Sequence, residues 1–260
     1  MDLQIQNNVV IVTGGASGIG RAIVELLAEE GAIPVVIDKN RKKLDEVAES
    51  LNSNSKNCLA ISLDLSNLND CERTVKKTVA KYGRISGLIN NAGKNERLSL
   101  NDNPQTFQTI LENNLHHYYY MAHYCLPYLK KSKGPILNMS SKTAVTGQGS
   151  TSGYVASKGA QLALTREWAV ELASFDIRVN AIVPAEVMTP LYESWLQRFE
   201  NPEVQKKKIT GLIPLGNRMT EPDEIANMAV FLVSNRASHI TGQHFYIDGG
   251  YVHLDRAISK

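Results

Sequence analysis

Val9-Val10-Ile11-Val12 is an unbroken apolar run of β-branched residues, the pattern of a strand buried on both faces. After a glycine-rich turn, Ile19 to Glu30 carries apolar residues at helical spacing and stops at Gly31, a residue suited to a helix C-terminus. Val35-Val36-Ile37 reads as the second strand, and Pro34, which has no N–H to donate, predicts that pairing begins after it. The alternation continues with helix over 41–51, strand over 58–62, helix over 67–82 and strand over 87–90. Helical stretches at 104–113 and 115–131 precede a strand over 135–140. A helix over 153–174, strand 177–183, an irregular helical segment near 190–210, helix 222–234 and strand 243–247 complete the chain. Strands separated by helix-length segments imply parallel crossover units. The expected fold is α/β, a single doubly wound parallel sheet of about seven strands with helices on both faces. No repeat, linker or composition break interrupts 1–260, so one domain is expected.

Composition narrows the function classes. Of 260 residues, 43% are hydrophobic and 21% charged, enough apolar material for one large core. A formal charge of +2, with Lys and Arg spread along the chain, is no nucleic-acid footprint. Cys58, Cys71 and Cys125 form no CxxC pair and lie at no metal-ligand spacing from a His, so no metal is expected, and their odd number suits a reducing compartment. The opening MDLQIQNN has neither a basic segment nor an apolar core of the secretory kind, and no apolar stretch reaches the roughly 18 residues of a membrane span. A cytoplasmic protein without membrane partners is expected.

The candidate chemistry begins at Thr13-Gly14-Gly15-Ala16-Ser17-Gly18-Ile19-Gly20, between the first strand and the first helix. Glycines there allow a tight turn and let a diphosphate approach the positive end of the helix. Asp38 stands at the end of the second strand, where a carboxylate binds both ribose hydroxyls of NAD and repels the extra phosphate of NADP. Lys39 and Arg41 nearby could accommodate that phosphate, but the turn itself offers Ser17 and no basic residue, so NAD is expected over NADP.

The turn has TGxxxGxG spacing; with Asn90-Asn91-Ala92-Gly93 after the fourth strand and Tyr154-x-x-x-Lys158 on a helix, the chain resembles the short-chain dehydrogenase/reductase family. The resemblance spans essentially the whole chain, to Ile240-Thr241-Gly242 and Asp248-Gly249-Gly250. It implies a Rossmann-type dinucleotide-binding and catalytic domain over 1–260 with a substrate-loop insertion near 190–212. It also implies Tyr154 as acid/base, Lys158 as its partner, and Ser141 as the substrate-orienting serine. Asn114 would hold a helical kink and a proton-relay water. The cofactor would be lined by Gly14, Ser17, Gly18, Ile19, Gly20, Asp38, Asp64, Leu65, Asn91, Val187 and Thr189, together with Tyr154 and Lys158.

Elementary chemistry agrees with the central pair. Positions 154 and 158 are one helical turn apart, so ammonium and phenol share a face. A nearby cation, joined by the nicotinium charge, favours phenolate and is expected to bring the phenol down from its ordinary pKa of about 10. Ser141 can donate to a substrate oxygen.

Two departures bear on the substrate. Pro184-Ala185-Glu186 replaces the usual Pro-Gly, and the Ser141 loop continues through Lys142-Thr143-Ala144-Val145-Thr146-Gly147-Gln148. Lys142, Gln148 and Glu186 beside Ser141 and Tyr154 suit a substrate with many hydroxyls. These strings, with Pro190 and with Lys158-Gly159-Ala160-Gln161 through Trp168, are similar to the bacterial L-fucose dehydrogenases of the family. That similarity implies oxidation of an aldose at its anomeric carbon to the lactone. A dehydrogenase of steroids or other apolar secondary alcohols remains an alternative, as does a non-catalytic NAD-binding regulator, although the complete set Asn114, Ser141, Tyr154, Lys158 argues against the latter.

His116-His117-Tyr118-Tyr119-Tyr120, followed by His123, Tyr124 and Tyr128, has no spacing that supports a metal. Tyr120, Tyr124 and Tyr128 recur every four residues and mark one helical stripe. The resemblance makes this helix a subunit interface in a homotetramer, and Tyr and His suit such a surface.

Overall fold

A computed structural model of the chain describes residues 1–254; of the expected 1–260 unit, residues 255–260 lie outside the described residues. Seven parallel strands form one sheet: β1 (Val9–Thr13), β2 (Ile33–Asp38), β3 (Leu59–Ser62), β4 (Gly87–Asn90), β5 (Ile136–Met139), β6 (Val179–Pro184) and β7 (His244–Ile247). Their order is β3-β2-β1-β4-β5-β6-β7. The chain starts at the centre, winds outward to β3, returns to place β4 beside β1, and winds outward again. Such a reversal opens a crevice at the carboxyl ends of the central strands, where doubly wound sheets bind ligands.

The alternation of side chains along a strand divides the core. Val10 and Val12 of β1 point into one layer, with α1 (Gly18–Glu29), α2 (Arg41–Ser53) and α9 (Pro222–Val233). Val9 and Ile11 point into the other, with α3 (Leu68–Tyr82), α5 (His117–Ser132) and α6 (Ser152–Leu172). All five residues of β1 are buried, which is why the strand reads as a continuous apolar run rather than an alternating one.

Two expectations need correcting. Strand β2 begins at Ile33, and Pro34 lies opposite Val10 within the ladder. Ile33 donates toward β1, to the Asn8 carbonyl, so the nitrogen of the next residue faces β3. Pairing with β3 starts only at Val35–Leu59, and the missing N–H therefore costs nothing. The two helices expected at 104–113 and 115–131 are α4 (Gln105–Leu111) and α5 joined without a break by a π-helical turn, Glu112–His116. The irregular 190–210 segment consists of α7 (Pro190–Leu196) and α8 (Pro202–Thr210), lying between β6 and α9.

Candidate active site

The glycine turn lies at the carboxyl end of β1. Gly14 and Gly18 have φ of 63° and 53°, a left-handed backbone that glycine adopts without strain. A Cβ on Gly14 would stand 2.9 Å from the Ala92 Cα, and one on Gly20 would run into the Gly14 carbonyl oxygen. Asn91 is built into the turn, its amide donating to the carbonyls of Thr13 (3.0 Å) and Gly14 (3.1 Å). Thr13 returns the tie, its hydroxyl accepting from the N–H groups of Asn91 and Ala92. Thr13 was not among the residues singled out, although its place at the head of the motif could have marked it.

Helix α1 starts at Gly18 with Ser17 before it, and no side chain caps its first turn. Those N–H groups, with the glycine cradle, fit a diphosphate. Ile19 packs on the adjoining core. Asp38 stands where β2 ends, accepting from the N–H of Ala16 (3.2 Å) and of Asn40 (2.9 Å). The two nearby cations already face acids: Lys39 lies 3.9 Å from Asp64, and Arg41 pairs with Asp45 at 3.0 Å. Asp64 is exposed and caps Ser66, whereas Leu65 is buried. Val187 and Thr189 follow β6; the Thr189 side chain comes within ordinary reach of the turn, its Cγ2 3.2 Å from where a Gly18 Cβ would be. Thr189 also caps α7, accepting from Tyr192 N–H. Glycine turn, Asp38, Asn91 and Thr189 thus border one crevice, which fits a dinucleotide.

Tyr154, Lys158 and Gln161 project from α6 against the β5 end and the π-turn. Lys158 is buried, and its ammonium donates to the Met139 carbonyl (2.7 Å), Gln161 Oε1 (3.2 Å) and the Tyr118 hydroxyl (3.4 Å). It lies 5.6 Å from the centre of the Tyr154 ring, on the same side of the helix. Among the described residues no carboxylate bonds to it, and burial pulls its pKa down to about 7. Burial likewise pushes the Tyr154 phenol above its ordinary value, with the Ser141 hydroxyl bond opposing the shift. The expected lowering of the phenol includes the nicotinium charge; within the chain alone, burial is the largest cause.

Ser141 caps a short 3₁₀ turn, Lys142–Ala144. Its oxygen accepts from the Thr143 N–H (3.3 Å) and the Thr143 hydroxyl (3.1 Å). With both lone pairs engaged, its own proton is left to donate. Asn114 is buried in the π-turn, where its side chain accepts from Lys94 N–H (2.7 Å) and donates to the Ile110 carbonyl (3.0 Å). Its backbone carbonyl accepts from Gln161 Nε2 at 2.7 Å.

Of the three candidate substrate contacts, two come together and one does not. Lys142 and Glu186 form a short ion pair, and the other Glu186 oxygen accepts from the Tyr192 hydroxyl at 2.6 Å. Lys142 also sits 4.1 Å over the Tyr251 ring. Burial, then the Glu186 charge, pushes the Tyr192 phenol upward, so it stays a donor. Tyr192 had no signal in the sequence, because only folding brings α7 onto Glu186. Gln148 lies at an exposed loop tip and touches none of this cluster in any described bond.

The aromatic stretch also divides. His117 and Tyr118 point inward: Tyr118 is fully buried, its hydroxyl donating to the Met139 carbonyl at 2.9 Å, and burial with Lys158 pushes His117 down to about 4. Tyr120, Tyr124 and Tyr128 are half-buried against the core, and Tyr119 stacks on His123 at the surface. No helix among the described residues is long and apolar enough to cross a membrane.

Comparison with known proteins adds three relatives. A family profile described as enoyl-(acyl carrier protein) reductase matches residues 14–252. The chain is 33% identical to the 3-oxoacyl-(acyl-carrier-protein) reductase FabG of Thermotoga maritima, over 96% of this chain and 100% of that protein. It is 34% identical to the L-fucose dehydrogenase of Bos taurus, over 96% of this chain and 91% of that one. The crystal structure of Cj0485 dehydrogenase superposes with a TM-score of 0.94 at 51% identity, covering 99% of both chains.

Proposed function

This chain belongs to the short-chain dehydrogenase/reductase family of NAD(P)-dependent oxidoreductases acting on CH–OH groups, and from that premise we propose that it oxidises the anomeric hydroxyl of an aldose, L-fucose or a close stereochemical relative, to the lactone with NAD. The observation that carries the substrate is the enclosed polar trio Lys142, Glu186 and Tyr192, joined through the chain to Ser141. A pyranose presents hydroxyls around its ring, and each one enclosed needs a partner, since an unpaired buried group costs roughly 1–3 kcal/mol. An ammonium, a carboxylate and a phenol can exchange bonds with such hydroxyls. An acyl chain or steroid would instead bury that charge against carbon. The similarity to an L-fucose dehydrogenase, at 34%, supports this reading; FabG stands beside it at 33%, so the reading rests on the trio.

When bound, the oxidised nicotinamide supplies the hydride acceptor. The chain supplies the rest. Ser141, with its lone pairs filled by Thr143, donates to the anomeric oxygen. Tyr154 accepts the hydroxyl proton as C1 loses hydride, leaving the lactone carbonyl. Lys158, one turn away, favours the phenolate. Asp38 holds the ribose hydroxyls, and the pairing of Lys39 and Arg41 with acids supports NAD over NADP. Gly14, Ser17, Gly18, Ile19 and Gly20 cradle the diphosphate, Asp64 and Leu65 border the adenine, and Val187 and Thr189 the carboxamide. We take 1–260 as one catalytic unit, cytoplasmic, with the 190–212 segment as its substrate loop. Exposed Tyr119 on α5 and Val170 on α6 support a homotetramer, which solution mass measurement tests.

NADH formation across an aldose panel varying each stereocentre, with steroid and 3-oxoacyl controls, tests the substrate. L-Fucose or a near stereoisomer is expected to lead. Controls outperforming every aldose would sink the sugar reading.

A further inference from the structure

Gln161 is fully buried in the middle of α6, three residues after Lys158, and bonds at both ends of its amide. Its Oε1 accepts from the Lys158 ammonium at 3.2 Å, and its Nε2 donates to the Asn114 carbonyl at 2.7 Å. The amide has one possible orientation. An ammonium has no lone pair and a carbonyl no proton, so a flip would break both bonds. Its backbone carbonyl accepts from the Thr165 hydroxyl, which in turn accepts from the Asn138 amide on β5. The side chain is therefore held by Lys158 of its own helix and by Asn114 of the π-turn, while its backbone is tied through Thr165 to β5.

Lys158 has three protons to give, and Met139, Tyr118 and Gln161 take one each. Among these acceptors only Gln161 connects the ammonium to Asn114, whose own side chain is spent on Lys94 and Ile110. Facing the ammonium are the phenols of Tyr154 on α6 and Tyr118 on α5, with the neutral ring of His117 also on α5.

We propose that Gln161 is a positioning residue for the reaction: its carboxamide clamps the Lys158 ammonium to the Asn114 carbonyl at the π-turn. This rests on the reading of Tyr154 and Lys158 as the acid/base pair. An amide neither gains nor loses a proton near neutral pH, so it fixes the cation without passing protons along. The clamp sets how closely and how fully charged Lys158 stands to the phenol.

Gln161→Met, which keeps the volume and loses both bonds, and Gln161→Asn, which is too short to span them, test the clamp in the full-length enzyme with NAD and its best aldose. Both are expected to lower kcat by about ten- to a hundredfold, the scale of one hydrogen bond to a charged group. They should also move the alkaline limb of the kcat–pH profile upward by about half a unit or more, because the phenolate loses part of its cation. Tyr154→Phe and Lys158→Met are assayed alongside. Wild-type kcat and limb in both Gln161 variants, beside inactive Tyr154→Phe, overturn this inference alone. A fall in kcat with an unmoved limb is a packing effect and overturns it too. Full turnover in Tyr154→Phe removes the acid/base reading and this inference with it. Should Gln161→Met fail to fold, Gln161→Asn, which keeps an amide in the cavity, decides by the same profile.

Discussion

Lys142 and Glu186 meet as an ion pair across the carboxyl ends of β5 and β6, with only 14% and 11% of their side chains exposed. Neither charge can be removed alone without leaving the other in poor solvent. Glu186→Ala strands the Lys142 ammonium and the Tyr192 hydroxyl, and is expected to cost roughly 2 kcal/mol in stability, below the 3–5 of a fully buried pair. Efficiency on the best aldose should fall about ten- to a hundredfold, with NADH affinity little changed. A double variant, Lys142→Met with Glu186→Leu, should recover most of the stability and none of the activity. Melting curves and kcat/KM separate the two effects. Wild-type efficiency in Glu186→Ala would remove the trio from the substrate site.

The expected preference for NAD rests on Asp38. Its carboxylate stands at the end of β2, bonded to the N–H groups of Ala16 and Asn40, with no cation of the glycine turn to offset it. The wild type is expected to prefer NAD. Asp38→Ala should narrow the ratio of kcat/KM for NAD over NADP by relieving phosphate repulsion, and should also loosen the turn by freeing Ala16. Equal efficiency of the wild type with both cofactors would show that Lys39 and Arg41 outweigh the carboxylate despite their acidic partners.

What was legible in the sequence was whatever a strand or a single helix turn encodes locally. Short apolar stretches marked all seven strands, most plainly the β-branched runs Val9–Val12 and Val35–Ile37, because a central parallel strand is buried on both faces and tolerates little else. The glycine turn, Asp38 and the 154–158 spacing were legible for the same reason. The π-turn was not. One extra residue in the turn at 112–116 slips the apolar period, so the continuous α4–α5 rod reads as two helices. Tyr118, Gln161 and Tyr192 were hidden because their partners lie on other elements. Gln148 shows the converse: near Ser141 in sequence, it is carried outward by a tip where Gly149 and Ser150 adopt φ of 80° and 50°.

Lys158 makes stability depend on pH in a defined sense. Its folded pKa of about 7 lies below the 10.5 of a free lysine, so between these values the unfolded chain binds the extra proton. Wild-type stability attributable to this group therefore rises with pH through that window. Below about pH 7 both states are protonated and the penalty of the buried charge is full. Lys158→Met should be more stable than wild type near pH 6, and its advantage should narrow by on the order of 4 kcal/mol as pH approaches 10.5. Taking the difference between the two proteins cancels the buried thiols, which titrate identically in both. Denaturant melts at several pH values measure it. A constant difference would mean that Lys158 is not the group buried as an ammonium.

Tyr154 is expected to govern turnover without governing cofactor affinity. In the proposed reaction the phenol contributes the proton step, while the glycine turn, Asp38 and Thr189 border the crevice that fits the dinucleotide. Tyr154→Phe should abolish NADH formation from the aldose and leave NADH binding, read by fluorescence titration, within about a few-fold of wild type. Burial holds the phenol above its ordinary pKa in the chain alone, so oxidation needs either alkaline pH or added positive charge nearby. The wild-type rate in the oxidation direction should therefore rise through the neutral-to-alkaline range, since only phenolate accepts the hydroxyl proton. Lys158→Met should move that limb further upward, because Lys158 is charged in the neutral part of that range, around its pKa of about 7, and there supplies the nearest cation. A limb that stays in place in Lys158→Met would assign the titration to a group other than Tyr154, and a loss of NADH binding as large as the loss of rate in Tyr154→Phe would show that the phenol holds cofactor rather than moving the proton.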